Sequence, residues 1–443
     1  MPDKNARRAP IGEILTRDFL ILSTINLAVF FGFQMINVGL PVYLDQLGAG
    51  AHLVGLATTL MTVTATLMRI FSGALLDRFG RVGILVAGTA IILCAIVLYA
   101  IFPVVGIILG LRLLHGVGWG LGSTASSTIA ADIIPKHRFA EGMGYFAMTT
   151  SIASALAPAA SIQLVQGAGA IYMIWASAGC TVIALVLAIV QARLRKNRQK
   201  GPEVGGQPGA AGGPGAGEQP DTAGAPGAGG PGASGPGAGA TPTAGAPMQQ
   251  LSKLETLFER RALFPGLLML LVNVGFGCIT TFIALHGLAQ GVGGVSIYFL
   301  VYAIATLVSR PYIGRLIDRY GYRMPAILAT LCTAATLAVI GVASSTLMFG
   351  IAGVLGGLGI GTAMGTFQTM AVASVEPWRR GVATSTYMTA FDTGIALGSL
   401  AGGVIAGAFG YTAMYFAVAA FPLVATVIAL VAIPQGEGVA ANR

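Results

Sequence analysis

Twelve runs of about twenty or more apolar residues dominate these 443 residues, and no other feature constrains the fold as tightly. They lie approximately at 19–45, 52–75, 82–102, 104–131, 141–166, 169–192, 263–287, 293–317, 324–343, 346–373, 381–407 and 411–433. At about 1.5 Å of rise per residue, a helix of that length crosses ~30 Å of hydrocarbon. The runs are continuous and do not alternate with period two, which excludes a transmembrane barrel. Only 9% of residues are charged, where a soluble domain carries about 25%. The expectation is an all-α membrane protein with twelve transmembrane helices.

Charge sets the orientation. With the N-terminus inside, the short outer loops near 46–51, 103, 167, 288–292, 344 and 408–410 contain no Lys or Arg. All of the 25 Lys and Arg except Arg112 fall at the tails, loops and helix ends of the other face. That bias predicts a protein of the cell membrane with both termini cytoplasmic. It also assigns the net charge of +9 to a surface facing anionic lipid, so no nucleic-acid partner is expected. Cys94, Cys180, Cys278 and Cys332 all lie inside apolar runs without ligand spacing. No disulfide, metal or cofactor is expected.

The chain repeats itself. "GALLDRFGRV" at 73–82 returns 241 residues later as "GRLIDRYGYR", and Arg69 and Arg310 each stand four residues before the first glycine. "RLLHGVGWGLG" at 112–122 aligns with "GVLGGLGIGTA" at 353–363. Two six-helix halves are expected, 1–193 and 263–443. They flank a cytoplasmic linker, 194–262, whose Gly/Ala/Pro-rich stretch should be a disordered spacer and whose "SKLETLFERR" should be a short interfacial helix. Duplicated halves of like orientation are the construction of transporters that rock one half against the other.

These motifs resemble the major facilitator superfamily, over the whole chain apart from the linker. The turn after span two carries Gly73, Asp77, Arg78, Gly80 and Arg81, and its second copy Gly314, Asp318, Arg319, Gly321 and Arg323. Span four carries Arg112, Gly116, Val117, Gly118 and Gly120. Gly144, Ala153, Ala157 and Pro158 stand where drug–proton antiporters carry a glycine-rich span-five signature, with alanine in place of two glycines. Together with "FDTGIALGSLAGG" in span eleven, this resembles the bacterial drug–proton antiporter-1 type. The resemblance implies that spans one, four, seven and ten line a central path. It also implies that Asp77 docks on the start of span eleven, near Gly381, when the inner face closes, as a conformational latch.

Within the spans, an ionisable group is a functional candidate by default, because burying it costs several kcal/mol. Asp392 lies near the middle of span eleven and is the expected proton carrier. Arg112 lies about 8 residues, roughly 12 Å, below the outer end of span four and is expected to tune that carboxylate or hold an anion. Asp45, at the outer mouth of span one, is the next carboxylate. Gln34, Asn37, His115, Trp119, Asn273 and Gln368 are the candidate polar lining of a substrate cavity. Arg78 and Arg81 are placed to pair with Asp132. Glycines at four-residue spacing (353, 357, 361, 365 and 394, 398, 402) read as helix-packing strips. No nucleotide loop, zinc motif or nucleophile elbow is present, so no enzyme is expected. The expected function is export of a small amphipathic molecule by a monomer exchanging it for protons. The alternative is proton-coupled uptake of a small metabolite.

Overall fold

The computed structural model describes residues 13–200, 258–376 and 379–434. The Gly/Ala/Pro-rich linker and most of "SKLETLFERR" lie outside them. Every apolar run is helical, because in lipid each backbone N–H and C=O must find its partner within the segment. In chain order the helices are α1 (Arg17–Gln46), α2 (Ala51–Phe79), α3 (Arg81–Ile101), α4 (Val105–Ile133), α5 (Phe139–Gly167), α6 (Ala170–Lys200), α7 (Arg260–Ala289), α8 (Ile297–Tyr320), α9 (Arg323–Gly341) and α10 (Thr346–Ala373). A last helical stretch, Arg380–Ala432, runs for 53 residues and is broken at Gly410, where φ is 81° and ψ 168°. We number its parts α11 (380–409) and α12 (411–432). Only glycine adopts that backbone without strain, so Gly410 turns one overlong helix into two crossings.

Among the described residues, ten helices are long and apolar enough to cross a bilayer, and α8, taken as one span, makes eleven. The broken stretch counts once among them and crosses twice, which gives twelve. In the first half α1 packs on α5 and α6, and α4 on α2 and α3. In the second half α7 packs on α11, α8 on α10, and α9 on α10 and α12.

Small residues and hydroxyls bring these helices together. The strip at 353–365 faces α8: a side chain on Gly353 would meet the Tyr298 carbonyl at 2.7 Å, and one on Gly357 the Tyr302 carbonyl at 2.5 Å. Gly394 and Gly398 lie against the backbone of Leu270 and Val274 on α7. Ser161 and Ser177 donate to the carbonyls of Met35 and Gly32 at 2.8 Å each, tying α5 and α6 to α1. Lipid removes the hydrophobic drive between helices, so close backbone approach and such hydrogen bonds hold the bundle.

The halves meet along α2 and α11, α5 and α8, and α1 and α7. At the end poor in cations the join is tight. Gly55 faces Ser399 and Gly403, and Gly403 faces Ala51 and His52. Val38 and Val42 of α1 share one small cavity wall there with Ile162 and Val165 of α5 and Ala284 and Leu288 of α7. At the cation-rich end a side chain added at Gly73 of α2 or Gly381 of α11 would meet nothing within 4 Å. The two halves are closely packed at the cation-poor end.

Candidate functional site between the two halves

Asp392 projects from α11 onto α2 and is 9% exposed. Its Oδ2 lies 3.1 Å from the Thr66 hydroxyl and forms an ion pair with Arg69 Nη1. Both partners belong to the other half, so this pair fastens the halves to one another. Asn273 of α7 donates to the carbonyl of Phe391 at 3.0 Å and so fixes the backbone beside Asp392.

Two expectations are corrected here. Arg69 was counted with the boundary cations, but α2 continues past Gly73 to Phe79, which leaves Arg69 ten residues inside the helix end. That is roughly 15 Å of helix. Arg69, not Arg112, is the cation beside Asp392. The repeat of Arg69 was visible in the sequence, one helical turn ahead of a duplicated turn motif. The helix it meets is not encoded in any local pattern. At the 241-residue offset the counterparts of Arg69 and Asp392 are Arg310 and Ser151, so the equivalent position at the α5–α8 contact carries the cation without the acid.

Arg112 sits on α4 at 1% exposure. Its Nε donates to the Ala57 carbonyl at 3.0 Å and its Nη2 lies 3.5 Å from Asn37 Oδ1. No carboxylate pairs with it among the described residues. Tyr99 Oη lies 3.2 Å from His115 Nδ1, and Trp119 stacks on Phe33 at 3.6 Å between centroids. Asn37, His115 and Trp119 therefore gather with Arg112 between α1 and α4. Gln34 and Gln368 are half-buried without a hydrogen bond among the described residues, and Asn273 serves α11 instead. Asp45 is exposed at the end of α1 and joins no ion pair among the described residues.

At the turns, Arg81 pairs with Asp132 at the end of α4. Gly80 and Gly321 both take positive φ, 80° and 66°, which explains the glycine in each copy. Asp77 and Asp318 are exposed, Arg78 and Arg319 lie over the rings of Phe79 and Tyr320, and Gly314 faces open space. Arg323 donates to the Leu430 carbonyl at 2.7 Å. Asp77 makes no hydrogen bond or ion pair to α11 among the described residues. In the second turn Tyr322 replaces Arg81, and burial, with Asp318 adding to it, raises its hydroxyl above the usual tyrosine range.

The sequence profile of the Major Facilitator Superfamily matches residues 22–302 and 266–442. The staphylopine export protein of Staphylococcus aureus is 20% identical over 402 residues, which is 90% of this chain and 91% of that protein. The quinolone resistance protein NorA of the same organism is 25% identical over 130 residues, 29% of this chain and 34% of that protein. Among solved structures, the nucleoside transporter NupG superposes with a TM-score of 0.63 at 12% identity, covering 94% of this chain and 98% of that one. A bacterial homologue of the lysosomal transporter Spinster, in an inward-facing and unoccupied conformation, does so at 0.67 and 14%, covering 95% and 97%. With its duplicated six-helix halves and its turn motifs, the chain belongs to the Major Facilitator Superfamily.

Proposed function

We propose that the chain exports a small amphipathic molecule across the cell membrane in exchange for protons, by alternating access, with its cation-rich face toward the cytoplasm. The ion pair of Asp392 with Arg69 carries this reading. Formed only when the carboxylate is ionised, it holds the halves together in the form closed at the outer end. An empty carrier is thereby locked facing the cytoplasm. A proton on Asp392 removes the charge and releases the lock; substrate does the same by competing for one of the partners. A carrier that reorients with either ligand but not empty is an antiporter, because coupling requires that the two ligands act on the same equilibrium. The similarity to proteins named for export and for drug resistance supports the outward direction. Asp77 would close the cytoplasmic end by docking near Gly381, and the open space there leaves that approach free.

The test is a proton-flux assay in everted vesicles with an acidified lumen, against a panel of amphipathic compounds. Export in exchange for protons predicts alkalinisation of the lumen on adding substrate, lost in Asp392→Asn. Silence with every amphipathic compound, and a response to a metabolite entering together with protons, would replace export by uptake.

A further inference from the structure

We propose that Arg112 and His115 form a buried anion site that takes the carboxylate of the transported molecule, whose apolar body lies along Phe33 and Trp119. This rests on the reading of the chain as a transporter and names the class of its substrate, an aromatic or otherwise apolar monocarboxylate.

The argument begins with an uncompensated charge. A guanidinium has five N–H donors and stays charged. At Arg112, Nε is used by the Ala57 carbonyl and Nη2 by Asn37, while Nη1 is buried without any partner. Every group it meets is neutral. Removing a cation from water without a counter-ion costs several kcal/mol, and the carboxylate of Asp392 is engaged by Arg69.

The neighbours add a second observation. The hydroxyl of Tyr99 lies 3.2 Å from His115 Nδ1 and donates to the Leu111 carbonyl at 3.5 Å. The imidazole thus spends Nδ1 on Tyr99 and leaves Nε2 at the far side of the ring. Nε2 of His115 is also buried with no partner among the described residues, and His115 is 0% exposed. Arg112 and His115 stand three residues apart on α4, hence on one helix face. The cluster therefore holds the unpaired Arg112 Nη1 and His115 Nε2 on one face, around a cation that no carboxylate neutralises among the described residues, and an anion supplies what that cation lacks.

The apolar part follows from the same face. Phe33 lies edge-on to His115 at 6.0 Å and stacked on Trp119, with Phe30 edge-on to Trp119 at 4.7 Å. Phe33 and Asn37, both half-buried, form the α1 side of the cluster. A planar body beside these rings places its acidic group one helical turn away, at Arg112. An inorganic phosphate would leave the rings unused and bring a second charge that the one guanidinium does not balance.

Calorimetric titration of the purified full chain in lipid nanodiscs, in chloride-free sulfate buffer, tests this with two probes that differ only in charge, 3-phenylpropanoate and 3-phenylpropanamide. The wild type should bind the acid about tenfold more tightly than the amide, the size of a charge-assisted hydrogen bond. Arg112→Gln should erase the preference, Arg112→Lys should retain part of it, and His115→Leu should reduce it. Equal affinity for the two probes in the wild type overturns the proposal without reference to any variant, and so does a preference that survives in a folded Arg112→Gln protein. Asp392→Asn should keep the preference while losing proton-driven transport, so failure of the anion site and failure of proton coupling are read separately.

Discussion

Arg69 and Asp392 come from helices of different halves, and neither has another charged partner among the described residues. Removing either leaves the other without its counter-charge in a largely apolar interface. Arg69→Ala and Asp392→Asn should each abolish accumulation of substrate driven by a pH gradient, measured in proteoliposomes, while substrate exchange persists. Arg69 is 33% exposed, so solvent screens part of the attraction. A double-mutant cycle on melting temperature should give a coupling of about 1 kcal/mol, and strict additivity would dissolve the pair as an energetic unit. Asp392 was legible in the sequence as a carboxylate deep in a span. Its partner was not: Arg69 stood out as a duplicated arginine, but the contact joins residues 323 apart, and no periodicity reports which helix lies across the way. Arg112 was legible as a buried cation for the same reason as Asp392, and its neutral surroundings only from packing.

Among the helices, the signature glycines divide by conformation. Gly80 holds positive φ between α2 and α3, so Gly80→Ala should lower stability by ~1–2 kcal/mol in a detergent melting assay. Gly73, in the same motif, is helical and faces open space. Gly73→Ala should leave the melting temperature unchanged or raise it slightly, since alanine favours helix by ~0.5–1 kcal/mol. Gly398→Val would drive a side chain into the Val274 backbone and should cost about 1–3 kcal/mol, the range for overpacking. Equal losses at all three sites would contradict the assignment. The crossings and the glycine strips could be read from the sequence, because lipid permits few other arrangements of such runs. Motif spacing alone could not tell a glycine needed for its backbone angle from one that merely leaves room at a helix surface.

For the whole molecule, the closed cation-poor end and the ion pair between α2 and α11 belong to one state. If the pair is the lock, protonation must redistribute the molecule, and permanent neutrality at Asp392 must free it from pH. Spin labels at His52 and Phe409, exposed near the closed ends of α2 and α11, would read that end by pulsed electron resonance once the native cysteines are replaced. In the substrate-free wild type a single short distance should dominate at alkaline pH, and a longer population should grow as the pH falls. Asp392→Asn should hold the longer population at every pH. A wild-type distance that ignores pH, or an acid-induced opening that persists in Asp392→Asn, would contradict the account.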